Sequence, residues 1–157
     1  MSLGIRFSRP TFVSTAVQFA VRAMVDVALR PEGVPVAAAE VGRCQGIPRT
    51  HVELIFRKLR QGGLVRASRG PGGGGGFRLS RSAQSISVGE IMFAIEGNDK
   101  PLPRRPWPTH DPAAQSCAEV WEGAAETLAH YLDSISLDTL VKGHRFNGDG
   151  LSCQRLS

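Results

Sequence analysis

A mainly α-helical fold carrying one small β-hairpin is what this sequence predicts, on three observations. Apolar residues recur at helical spacing through residues 14–59 and again through 113–135. Residues 64–79 hold two short β-type runs, Leu64 with Val65 and Phe77 with Leu79, on either side of the glycine-rich segment 70–76. Just ahead of that hairpin, a tight turn at residues 45–47 separates two helical stretches. Helix, turn, helix and hairpin in that order predict a winged helix-turn-helix domain over residues 11–97. A Pro-rich linker loop over 98–112, a long dimerisation helix over 113–141 and a polar tail over 142–157 complete the expected division.

Each element has its own justification. In residues 14–29, Val17, Ala20, Val21, Met24, Val27 and Ala28 share a helical face, and Pro31 stops the helix. Residues 31–35 form a turn by composition, and a short alanine-rich helix spans 36–44, ending near Gly46. The next helix starts at Pro48, whose missing N–H costs nothing at the first helical position. Along it, Val52, Ile55, Phe56 and Leu59 supply the apolar face, while Arg49, Thr50, His51, Glu53, Arg57 and Arg60 lie opposite. A surface helix tolerates such a face without using it, but this one stands between a helix-turn and a hairpin, where a nucleic-acid reader stands.

The hairpin tip argues the same way. Glycines there allow positive φ and close backbone approach, so the tip can lie against a phosphate backbone or a minor groove. Arg69 at its entrance is the minor-groove candidate, and Arg66 and Arg78 are placed for phosphates. The competing reading, a phosphate-cradling loop of a nucleotide-binding enzyme, lacks the Gly-Lys-Ser/Thr ending and a preceding buried strand.

Beyond the hairpin, residues 85–95 form another amphipathic helix, with Val88, Ile91, Met92 and Ile95 inward and Ser87 as its cap. Residues 97–112 contain five of the ten prolines and read as an extended loop. In the helix that follows, Cys117, Trp121, Ala124, Leu128, Leu132 and Ile135 make an apolar seam by steps of three and four. A small domain cannot bury such a seam along its whole length, whereas the same helix of a second chain can. Trp121, Leu128 and Leu132 are therefore the candidate dimerisation residues.

Charge sharpens the picture and excludes some classes. The 157 residues carry a net charge of +5, yet residues 43–81 hold nine Lys/Arg against the single acid Glu53, a balance of +8. The stretches before and after balance at +1 and −4. Concentrated basic charge is the footprint of a module that displaces counterions from phosphates. No apolar run approaches the roughly 18 residues of a membrane span, and the start of the chain lacks the apolar centre of a signal peptide, so a cytoplasmic protein without membrane contact is expected. Cys44, Cys117 and Cys153 are odd in number and far apart, against a disulfide framework or a simple zinc finger. No Ser/His/Asp or Cys/His constellation and no paired carboxylates point to an enzyme.

The runs TAVQFAVRAMVDVAL, ELIFRKLRQGGLVRASRGPGGG and ISVGEIMFAIEG resemble the Rrf family of bacterial winged-helix transcription regulators, of the iron-sulfur cluster assembly regulator type. The resemblance covers residues 14–97 and resumes over 121–141, and residues 64–74 carry its most specific part. It implies a homodimer with crossing C-terminal helices that binds double-stranded promoter DNA. It also implies that Glu53 tunes which sites are accepted, since a carboxylate accepts from a cytosine amino group but repels phosphates. Arg49, Thr50, His51 and Glu53 are then expected at base edges or nearby phosphates, and Arg57, Arg66 and Arg78 on the backbone. Arg69, with Gly70 and Gly72 beside it, is expected at the minor groove. Pro48 departs from the serine often found at the helix start, and the glycine tip is two glycines longer than the common pattern.

A larger departure concerns chemistry. Cluster-binding members of that family carry three closely spaced cysteines before the dimer helix, because thiolates are the ordinary ligands of iron-sulfur clusters. Residues 97–116 contain none, and Cys117 stands near the place of the last one, with His110 as the other candidate ligand. The expectation is a homodimeric, sequence-specific repressor without a resident cofactor, answering to a small-molecule or protein effector. Two alternatives stay open: a degenerate sensor or adaptor working through protein contacts, and an iron-sulfur cluster held by non-standard ligands.

Overall fold

Ser14 opens the first helix, its hydroxyl accepting the Val17 backbone N–H at 3.3 Å. The computed structural model describes residues 13–31, 34–70, 74–97 and 111–146 of the chain, with side chains through residue 143. Helix α1 (Thr15–Leu29) buries Val17, Ala20, Ala23, Met24 and Val27 along one stripe. It ends where Arg30 turns extended ahead of Pro31, as the residue before a proline does. Helix α2 (Ala38–Gln45) stops at Gly46, whose φ of 66° is the left-handed cap that glycine adopts without strain.

A tight turn leads into α3 (Arg49–Gln61), which buries Val52, Ile55, Phe56 and Leu59. Pro48 caps this helix from outside rather than occupying its first turn; its ψ of 139° is extended, and its carbonyl receives the N–H groups of His51 and Val52. The two helices cross closely at Gly42, where a Cβ would stand 3.0 Å from the Ile47 carbonyl oxygen and 3.2 Å from Val52.

Strands β1 (Val65–Arg69) and β2 (Gly75–Leu79) pair antiparallel, with Val65 opposite Leu79, Arg66 opposite Arg78 and Arg69 opposite Gly75. Phe77 stacks on Phe56 at a centroid distance of 4.7 Å, which holds the hairpin against α3. The helix expected from Val36 starts two residues later because Val36 is taken by β2. Its N–H donates to the Phe77 carbonyl at 2.9 Å and its carbonyl accepts from Phe77 at 2.8 Å. Gly76 permits the approach, since a Cβ there would lie 2.7 Å from the Val36 backbone.

A short 3-10 turn (Ala83–Ser85) precedes α4 (Val88–Glu96). Ser87 and Glu90 form a complete capping box: the Ser87 hydroxyl accepts the Glu90 N–H at 3.0 Å, and the Glu90 carboxylate accepts the Ser87 N–H at 2.9 Å. Helix α5 (Pro112–Asp133) is capped by Asp111, which accepts the Ala113 N–H at 3.1 Å, and carries Pro112 in its first turn.

The single helix expected over residues 113–141 is two helices. Ser134 closes α5, and α6 (Leu137–Phe146) begins three residues later. The break follows from backbone pairing with the segment ahead of α4: Val88 donates to the Ile135 carbonyl at 2.9 Å and Leu137 donates to the Ile86 carbonyl at 2.8 Å. Leu137 and Val141 are then buried on the domain, so α6 belongs to its core and helix extends into the stretch expected as tail.

Candidate nucleic-acid interface

Because α3 commits Val52, Ile55, Phe56 and Leu59 to the core, its 3.6-residue period leaves Arg49, Thr50, His51, Glu53, Arg57 and Arg60 exposed on the other side. Arg49 and Glu53, one turn apart, are joined by an ion pair at 2.7 Å. The hydrogen bond to Glu53, then that carboxylate's charge, raises the Arg49 pKa above its ordinary value. Lys58 is turned away from this surface; its Nζ donates to the Ile95 carbonyl at 2.6 Å. Leu54 was not singled out in the sequence, yet it is exposed between these polar groups. Its place off the apolar stripe was the available signal, and an aliphatic tip on such a surface suits a thymine methyl.

On the hairpin, the two-residue pleat puts Arg66 and Arg78 on the same face, away from Val65, Phe77 and Leu79. Opposed like charges destabilise a strand pair, and an anion between them would relieve the repulsion. Arg78 is half-buried, and its Nε is buried without a hydrogen-bond partner. Arg69 is exposed at the far end of β1, facing Gly75, so no opposing Cβ confines its side chain. Gly70, next to it, donates its N–H to the Gly74 carbonyl and would bring a Cβ within 3.0 Å of Pro35. Gly72 lies outside the described residues.

The seam residues separate. Trp121 is 54% exposed, with Val120 and Tyr131 also open, and no residue of α5 is buried. Leu128 is half-buried, and Leu132 packs against the chain's own core. Among the described residues no group of three or more His, Cys, Asp or Glu is arranged to hold a metal ion. Cys117 is free and exposed, and His110 lies outside the described residues. Cys44 is disulfide-bonded. A cluster held by three thiolates does not fit this donor set, which offers one free thiol among the described residues.

A family described as Rrf2, iron-dependent transcriptional regulator, matches residues 13–143. The chain belongs to the Rrf2 family. The HTH-type transcriptional regulator IscR of Klebsiella pneumoniae (strain 342) is 36% identical, over 79% of this chain and 76% of that protein. IscR of Escherichia coli O1:K1 / APEC is 35% identical over the same shares. Among solved structures, T. potens IscR superposes with a TM-score of 0.66 at 30% identity, covering 83% of this chain and 86% of that one. CymR (YrzC), the global cysteine regulator of B. subtilis, shares the fold with a TM-score of 0.67 at 24% identity, over 83% of this chain and 95% of that one. This Rrf2 chain is a transcription regulator with a DNA-binding winged helix, and its relatives are regulators rather than enzymes. No described helix is long and apolar enough to cross a membrane.

Proposed function

We propose that the protein is a homodimeric, sequence-specific repressor whose α3 reads base edges while β1 and β2 grip the backbone. The observation that carries this reading is the division of the surface. Arginines stand exposed or outward on α3 and the hairpin, while α5 exposes Trp121, Val120 and Tyr131 with no covering partner among the described residues. A second copy of α5 would cover that apolar surface, and a two-fold dimer would set two α3 helices about one DNA turn, ~34 Å, apart. Arg49, Thr50, His51, Glu53 and Leu54 then face bases or nearby phosphates. Arg57, Arg66 and Arg78 hold phosphates, and Arg69, beside Gly70 and Gly72, enters the minor groove. The domain division that goes with this reading is a winged-helix body joined by residues 98–111 to α5, with α6 returning to the body.

The donor set favours control by a small-molecule or protein effector over control by a resident cluster. Anaerobically purified protein is expected to be colourless and free of iron and sulfide while binding DNA; stoichiometric iron and sulfide would reverse that part. For the wing, Arg69→Ala is expected to weaken binding to a duplex selected by the wild-type protein about tenfold or more, the loss of a minor-groove arginine being worth roughly 1–3 kcal/mol. Equal affinities in anisotropy titrations at one salt concentration would remove Arg69 from the interface.

A further inference from the structure

Helix α4 is fastened at one end to the α5–α6 connection and at the other to α3. At its N-terminus the Ser87 hydroxyl donates to Asp133 Oδ1 at 3.2 Å, and the two backbone bonds through Ile135 and Leu137 tie the same segments together. The carboxylate of Asp133 thereby sits at the positive end of the helix. The fit is close: a Cβ on Gly89 would lie 1.9 Å from Asp133 Oδ1, 2.8 Å from its Cγ and 3.2 Å from its backbone nitrogen. Rotating the Asp133 side chain relieves the first two contacts, but only a shift of α5 relieves the third. At the C-terminal end, Lys58 of α3 donates to the Ile95 carbonyl at 2.6 Å. There a Cβ on Gly62 would stand 2.8 Å from Ala94 Cβ, so α3 and α4 also meet without slack.

We propose that α4 is a strut through which the position of α5 sets the position of α3, with Asp133 and Lys58 as the positioning residues at its two ends. This rests on the reading of α5 as the dimer helix and α3 as the DNA reader. Packed interiors transmit displacement rather than absorb it, so a shift of α5 on α4 moves the two α3 helices of a dimer relative to each other. Neither the DNA-facing surface nor the exposed α5 surface need change. The strut therefore fixes which half-site spacing the dimer accepts, and any ligand that moves α5 changes that spacing.

The test uses a duplex selected by the wild-type protein from a random pool, presented as one half-site and as two half-sites re-spaced by one or two base pairs either way. Gly89→Ala, Asp133→Ala and Gly62→Ala are compared with wild type, with fold checked by circular dichroism and dimer by sedimentation. Each variant is expected to bind the single half-site within about twofold of wild type, and to lose about tenfold, roughly 1.4 kcal/mol, on the paired sites at the original spacing. In the Asp133→Ala background, Gly89→Ala is still expected to lower binding to the paired sites, because the added Cβ still meets the backbone nitrogen of residue 133 at 3.2 Å. If Gly89→Ala or Gly62→Ala unfolds or dissociates, Asp133→Ala decides, since that side chain is exposed. Equal loss on single and paired sites, or no loss on either, would overturn the strut. A wild-type protein that selects no paired duplex would instead overturn the reading on which the strut rests.

Discussion

Glu53 is the residue whose surroundings say most about selectivity. In the free protein it is held by Arg49 at 2.7 Å on an exposed surface, so the pair contributes little to stability and is free to exchange partners. Near a cytosine amino group the carboxylate gains a donor, and Arg49 is released toward a phosphate or guanine. Away from an amino donor the carboxylate meets acceptor edges, such as guanine O6 and N7 or thymine O4, and the nearby phosphates. Replacing it should therefore relax discrimination more than it weakens binding: Glu53→Ala is expected to narrow the gap between preferred and substituted base pairs at one position by roughly 1–3 kcal/mol. Affinities for a duplex set varied one base pair at a time measure this, and an unchanged preference profile would place Glu53 off the bases. The exposed face of α3 was legible because each apolar position there was fixed by the period. The pairing of Arg49 with Glu53 follows from the same four-residue step. The departure of Lys58 from that surface was not legible, because its partner carbonyl is 37 residues away.

Among the elements, α4 shows how local signals and distant ones divide. Its capping box is written in the sequence as Ser87 and Glu90 three apart, and the structure forms both bonds. Burial pushes the Glu90 carboxyl up, but the hydrogen bonds from Arg81 at 2.6 Å and from the Ser87 backbone, with the Arg81 charge, outweigh it and hold the pKa below its ordinary value. A carboxylate lowered on folding adds stability that is complete above the unfolded pKa of about 4.3 and is lost as pH falls through the folded value. Glu90→Gln is thus expected to destabilise at neutral pH and to converge on wild type in acid, as read by denaturant midpoints from pH 7 to 3. Ser87→Ala, removing the other half of the box, should cost about 1 kcal/mol at neutral pH. A constant difference for Glu90→Gln across that range would contradict the assignment. The starts of α2 and α6 escaped the sequence for one reason. Val36 and Ile135 are apolar residues in helical runs, and only the backbones of Phe77 and Val88, far along the chain, divert them.

At the scale of the whole molecule, the two working surfaces are segregated: arginines on α3 and the hairpin, and bare aromatics on α5. A seam ending in Leu132 and Ile135 looked continuous in the sequence, but Leu132 is packed on the domain, which leaves the proposed dimer surface to the earlier turns around Trp121. Trp121→Glu is expected to shift sedimentation from dimer to monomer without loss of helix content, because the side chain is 54% exposed within its own chain and supports no core. A variant that stays dimeric would move the interface elsewhere. The central claim, a dimer that reads sequence through α3 and grips phosphates through the hairpin, is tested most directly by anisotropy titration of the wild-type protein. The titrations compare its selected duplex with a shuffled one across a series of salt concentrations. Three backbone arginines per protomer predict a slope of log affinity on log salt of about −5, and a preference for the selected duplex of about a thousandfold or more. Equal affinity for the two duplexes at every salt concentration would contradict the account.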